Sequence, residues 1–218
     1  MNNISNNMQN NNFTNLLNFR TMPNPQNMPV IPNFQNIPSF PSNNNLSYIK
    51  NEFDNLQTNP MSNFGLSVGL PRPNDFTKWR ITLTGASGTP YEKGIFKIMI
   101  NFPDDFPNSP PIIFFVTPIY HLNINPYSNI RDPLGYVPID KLNIWKPEYT
   151  MKEVLTYLYG LFFYVDPNNG YGDDRINEYR NNKSIYFEKA KFFVNRYANV
   201  SNFQLDWGNI DWNFNIYP

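Results

Sequence analysis

TPYEKGIFKIMINFPDDFPNSPPIIFFVTPIYHLNIN, residues 89–125, is the stretch on which the fold turns. Inside it, GIFKIMINF (94–102) places Phe96, Ile98, Ile100 and Phe102 on one side by a period of two, which predicts a strand with one face in the core. PPIIFFVT (110–117) is a short run apolar on both faces, and PDDFPNSPP (103–111) is a turn-rich connection. Just upstream, TKWRITLTG (77–85) aligns Trp79, Ile81 and Leu83, and GASGTPYEKG (85–94) links it to the next strand. Short links between successive strands favour an antiparallel meander.

Working outward, Leu46, Ile49, Phe53 and Leu56 recur at helical spacing and predict a short amphipathic helix stopped by TNP (58–60). Downstream, TMKEVLTYLYGLFFYVDP (150–167) opens on the capping-box pair Thr150 and Glu153. It carries a stripe of Met151, Val154, Leu155, Leu158, Leu161, Phe162 and Val165, with Pro167 beyond the helix end. Two further helical pieces fall at roughly 173–181 and 184–199, the second with Ile185, Ala190, Phe193, Val194 and Tyr197. The pattern is α+β, in one domain spanning 46–199. Residues 1–45 are rich in Asn and Pro with Arg20 as their only charge, a composition that predicts disorder. Their Pro/Phe pieces read as neutral drift or as short docking peptides. The tail 200–218 holds Trp207, Trp212, Phe214 and Tyr217, and aromatic side chains so crowded are expected to dock on their own domain or on a partner.

Composition narrows the chemistry. The 218 residues suit one buried domain plus tails, and Lys+Arg and Asp+Glu balance at 17 each, so no net field steers the chain to nucleic acid or an anionic membrane. Aromatic residues make up 17%, which reads as a Tyr/Phe-rich core. Cysteine is absent, which removes disulfides, thiolate-bound metals and any thiol nucleophile. No metal constellation or phosphate-cradling glycine loop is visible, so neither metal nor cofactor is expected. Without a leader-like or membrane-length apolar run, a cytoplasmic and/or nuclear location is expected.

Several segments together resemble one family. The stretch quoted above is similar, in order, to the PY-x-G-G-x-F, FP-x-x-Y/F-P-x-x-PP and H-P-N-I motifs of ubiquitin-conjugating enzymes. NIWKPEYTMKEVL (143–155) resembles that family's Trp-x-Pro loop and following helix, and DPNNGYGDD (166–174) its Asp-Pro-Asn segment. The resemblance implies an N-terminal helix, a four-stranded antiparallel meander, an irregular active-site loop and C-terminal helices.

In such enzymes a cysteine carries ubiquitin as a thioester, because a thiolate attacks near neutral pH and its ester stays reactive to amines. Here the corresponding position is Pro138. His121 and Asn123 match the outer positions of the His-Pro-Asn motif, with Leu122 in the middle, and Asp140 stands for the acidic residue just after the cysteine. Without the nucleophile, Asn123 is expected to bond loop backbone, His121 to be a satisfied structural histidine, and Asp140 to be a solvated charge. The 126–137 loop is longer than usual for the family and would either block the groove for ubiquitin's tail or recognise something new. On the surface that ligases grip, Asn108 replaces an apolar anchor and Lys146, Pro147 and Glu148 replace a Ser-Pro-Ala loop, so family-type docking should be weakened.

The expected function is therefore a catalytically inactive binding, scaffold or regulatory module. Its partner would be ubiquitin, a ubiquitin-like protein, or an active conjugating enzyme in a heterodimer. The alternative is a divergent transferase forming an oxyester on Ser128 or Tyr136. That hydroxyl would need a base, for which His121 is the sole histidine available.

Overall fold

The computed structural model describes residues 45–126 and 135–199. The expectations for the N-terminal segment, for the tail 200–218 and for Ser128 lie outside those residues. Helix α1 (Asn45–Thr58) is followed by a 3₁₀ turn (Ser62–Phe64). Five strands come next: β1 (Leu66–Gly69), β2 (Lys78–Thr84), β3 (Ile95–Asn101), β4 (Ile112–Phe115) and β5 (Tyr136–Val137). They pair antiparallel in sequence order. The meander has one strand more than the four expected. The added β5 is only two residues long and pairs Val137 with Ile113 and Tyr136 with Phe114. A strand so short leaves no period for a sequence pattern to show.

Alternation on β2 and β3 is as expected. Trp79, Ile81, Leu83, Phe96, Ile98 and Ile100 are all fully buried on one face, kept in register by Trp79↔Ile100, Ile81↔Ile98 and Leu83↔Phe96. Against that face packs α2 (Met151–Gly160), whose Met151, Val154, Leu155 and Leu158 join the same cluster. The capping box forms in both directions: Glu153 N–H donates to Thr150 Oγ1 (3.3 Å), and Thr150 N–H donates to Glu153 Oε2 (2.8 Å). The helix ends earlier than the apolar stripe suggests. Beyond Gly160 the backbone tightens into turns, so Leu161 and Phe162 reach the core from a loop and Val165 lies only half-buried.

Two apolar positions fall on the wrong side of their helices. Leu46 is 52% exposed, and the buried stripe of α1 is instead Ile49, Glu52 and Leu56. Glu52 is there to bond: its Oε2 accepts the Met151 N–H at 2.7 Å, closing an otherwise open amide in the first turn of α2. After α3 (Asp173–Asn181), α4 (Lys183–Phe193) runs into a π turn (Val194–Ala198). It turns Tyr186 and Ala190 inward, while Ile185 faces solvent.

The core is aromatic, as the composition suggests. An edge-to-face chain runs from Trp79 to Phe102 (4.8 Å) and on to Phe106 (4.8 Å), which lies against Trp145 (5.3 Å). No helix among the described residues is long and apolar enough to cross a membrane.

Candidate functional site

The segment after β4 descends into the protein, and His121, Leu122, Asn123 and Ile124 are all buried there. Burial obliges every polar group to find a partner. Leu122 N–H donates to the Tyr186 hydroxyl (2.8 Å), and Leu122 O accepts the Tyr171 N–H (2.8 Å). The site is thereby fixed from α4 and from the loop that precedes α3.

His121 uses both ring nitrogens inside the protein. Nδ1 accepts the Asn123 N–H at 3.0 Å, so the proton sits on Nε2, which donates to Leu161 O at 2.8 Å. Burial is the main reason its pKa falls to about 4, and the nearby Arg175 charge pushes the same way. The imidazole is neutral near pH 7 with no free lone pair, and a base needs one.

The Asn123 amide is likewise fully engaged. Its Nδ2 donates to Asp166 O (2.7 Å) and Asn169 O (3.0 Å), while its Oδ1 accepts the Asp166 N–H (2.8 Å). Both amide hydrogens therefore hold the 166–169 loop, leaving none for a developing oxyanion in this arrangement. Asp166 completes the clamp, accepting Asn168 N–H (2.9 Å) and Asn169 Nδ2–H (2.7 Å). Sequence pattern does not mark Asp166 and Asn169 as site residues. Their signal is the DPN segment, whose Asp bonds backbone two residues on in an Asx turn.

Pro138 follows β5 directly and is buried. Ile139 N–H reaches back over it to Val137 O (2.9 Å), a three-residue turn whose central φ suits proline. The chain then winds through one turn. Leu142 N–H donates to Pro138 O (3.0 Å), Asn143 N–H to Asp140 O (3.2 Å) and Ile144 N–H to Ile139 O (2.8 Å). The last two bonds, with Asn143 at φ 54°, form a Schellman-type stop. At the head of such a turn proline's missing N–H costs nothing. Asp140 is exposed.

The His121–Asn123 segment and the Pro138 turn are neighbours, because Asn125 N–H donates to Tyr136 O (3.0 Å) and Gly135 N–H donates to Asn125 O (2.8 Å). Gly135, at φ 84°, passes so close to β4 that a Cβ would lie 2.0 Å from Phe115 O. Of the two hydroxyls considered as nucleophiles, Tyr136 is half-buried with its ring 6.1 Å from Phe114.

The second surface is also assembled. The Phe106–Trp145 contact holds the 103–108 loop beside the 146–148 loop, and Asn108, Lys146, Pro147 and Glu148 are all exposed there. Lys146 Nζ lies 5.7 Å from the Tyr149 ring centroid, and Tyr149 stacks on Tyr157. Among the described residues no three His, Asp or Glu side chains converge as a metal site would require.

Comparison with known proteins agrees with this geometry. The family model for ubiquitin-conjugating enzyme matches residues 48–194. The chain is 32% identical to ubiquitin-conjugating enzyme E2 T of Bos taurus over 124 residues, covering 55% of this chain and 60% of that protein. It is 35% identical to E2 T of Danio rerio over 121 residues, covering 53% and 59%. It is 28% identical to ubiquitin conjugating enzyme E2 B of Dictyostelium discoideum over 125 residues, covering 57% and 80%. The chain thus spans about 60% of the length of the E2 T protein of Bos taurus. With the meander, the capped central helix, the His-x-Asn clamp and the Trp loop all in place, this cysteine-free chain belongs to the ubiquitin-conjugating enzyme family.

Proposed function

We propose that this family member is catalytically inactive and serves a ubiquitin or ubiquitin-like pathway as a binding or regulatory module, in the cytoplasm and/or nucleus. The observation that carries the reading is the missing thiol: at the expected position stands a buried proline, the central residue of a turn closed by Ile139 N–H on Val137 O. A thioester carrier needs a thiol, and the sequence has no cysteine to supply one. The saturated hydrogen bonding of His121 and Asn123 supports the same view. Both residues brace the fold, and neither offers a group to a substrate. The partner chemistry is that of ubiquitin, a ubiquitin-like protein, or an active conjugating enzyme.

Two measurements test this. Incubation with activating enzyme, ATP and ubiquitin should give no adduct, whether thiol-sensitive or alkali-labile; an alkali-labile one would establish the oxyester alternative. Isotope-labelled ubiquitin titrated with the protein should show localised NMR shifts. Absence of shifts at millimolar concentration would remove ubiquitin as the partner.

A further inference from the structure

Asn169–Gly170 is the one Asn-Gly pair in the 218 residues. Both residues stand outside helix and strand, in the loop between α2 and α3 that Asn123 clamps, and Asn169 is exposed. Glycine is there for packing: a Cβ on Gly170 would lie 2.7 Å from Leu122 Cγ and 3.0 Å from Ile176 Cγ1. The close approach of this loop to the middle of the His-x-Asn segment thus sets an unhindered peptide nitrogen directly after an asparagine.

The pair is chemically labile. A peptide N–H that follows asparagine can attack the side-chain amide carbon and close a five-membered imide, and a Cβ on the attacking residue is the main hindrance. A hydrogen bond from that N–H would also hold it back. Among the described residues Gly170 N–H donates to no acceptor, although the amides on either side are engaged: Asn169 N–H donates to Asp166 O (3.3 Å) and Tyr171 N–H to Leu122 O (2.8 Å). The Asn169 side chain is held through Nδ2 alone, on Asp166 Oδ2 (2.7 Å).

We propose that Asn169 is a self-modification site whose only co-reactant is water. Gly170 N gives its proton to solvent and bonds to Asn169 Cγ. The Cγ–Nδ2 bond then breaks, and the nitrogen leaves as ammonia with a proton taken from water. A water molecule opens the imide at either carbonyl, leaving aspartate or isoaspartate at residue 169. One water is consumed and one ammonia released, with no oxidation or reduction. Either product unfastens the clamp. Aspartate replaces the donor to Asp166 Oδ2 with a second carboxylate beside the first. Isoaspartate adds an atom to the main chain and turns the Asn169 C=O, which accepts Asn123 Nδ2–H at 3.0 Å, into part of a side-chain carboxylate. Neither product reverts to asparagine in water, so the hold on the His121–Asn123 segment loosens with the age of the chain. This goes beyond the pathway role proposed above and does not depend on it.

Incubation of the full chain in mildly alkaline heavy-oxygen water, with peptide mass spectrometry at intervals, tests the site. Label should enter residue 169 at least ~10-fold faster than residue 108, the exposed asparagine before Ser109, and Asn169→Gln should leave that peptide unlabelled. Equal rates, or conversion of Asn108 with Asn169 intact, overturn the proposal. The aged acidic form, separated by charge, and the variant Asn169→Asp test the consequence. In both, hydrogen exchange at the Asp166 and Tyr171 amides should quicken by at least ~10-fold. Unchanged protection of these amides in the aged form overturns the release of the clamp, and the proposal with it.

Discussion

At the residue scale, Asn123 and His121 behave as rivets. Asn123→Ala removes three hydrogen bonds and strands buried backbone groups of Asp166 and Asn169, so a loss of about 2–4 kcal/mol is expected in urea unfolding. Asn123→Asp should be worse near neutral pH, because a carboxylate would face two backbone carbonyls; a milder effect than alanine would contradict the clamp. His121 gives a pH signature. Its folded pKa of about 4 lies below the usual 6.5, so between those values the unfolded chain binds a proton that the native state refuses. Stability should therefore fall as pH drops from about 6.5 to about 4, by about 3 kcal/mol from this group, and level off below. Glu52 acts in the opposite sense: burial raises its pKa, and it favours the fold as pH falls through its own window above 4.5. NMR titration of the lone imidazole separates the two, with an expected midpoint below 5. These roles were partly legible in the sequence. The His-x-Asn spacing marked the residues, but their partners lie about forty positions away at Leu161, Asp166 and Asn169, beyond the reach of local pattern.

At the element scale, the long periodic pieces were legible and the short or polar-assisted ones were not. β2, β3 and α2 announce themselves because burial on one face imposes a period. β5 has two residues and exists only because β4 offers an edge. α1 misled at one end, because Glu52 shares its inner face with Ile49 and Leu56 while Leu46 points to solvent. Glu52→Ala opens the first turn of α2 and should cost about 1–3 kcal/mol, whereas Glu52→Gln keeps an acceptor and should lose less. Thermal unfolding of the two variants decides, and equal losses would mean that Glu52 matters only by filling space. Gly135→Ala combines a positive φ with a Cβ 2.0 Å from backbone oxygen, so a loss of at least ~2 kcal/mol is expected, most visible as faster hydrogen exchange at Phe115.

At the scale of the whole molecule, the family architecture persists around a position that holds no thiol. Pro138→Cys supplies the missing sulfur, but at a buried point of a wound turn, with Asn123 already engaged. We expect no thioester with activating enzyme, ATP and ubiquitin under non-reducing electrophoresis; a strong one would show that the proline alone had silenced the site. The bond between Glu52 and Met151 has one more implication, since it joins positions 99 residues apart. On a ribosome the carboxylate emerges long before the amide that it seals, so this bond between α1 and the central helix can close only once Met151 has been made. The docking of α1 on the central helix is then an event of late synthesis, and a chain stalled before Met151 leaves Glu52 without the amide it seals.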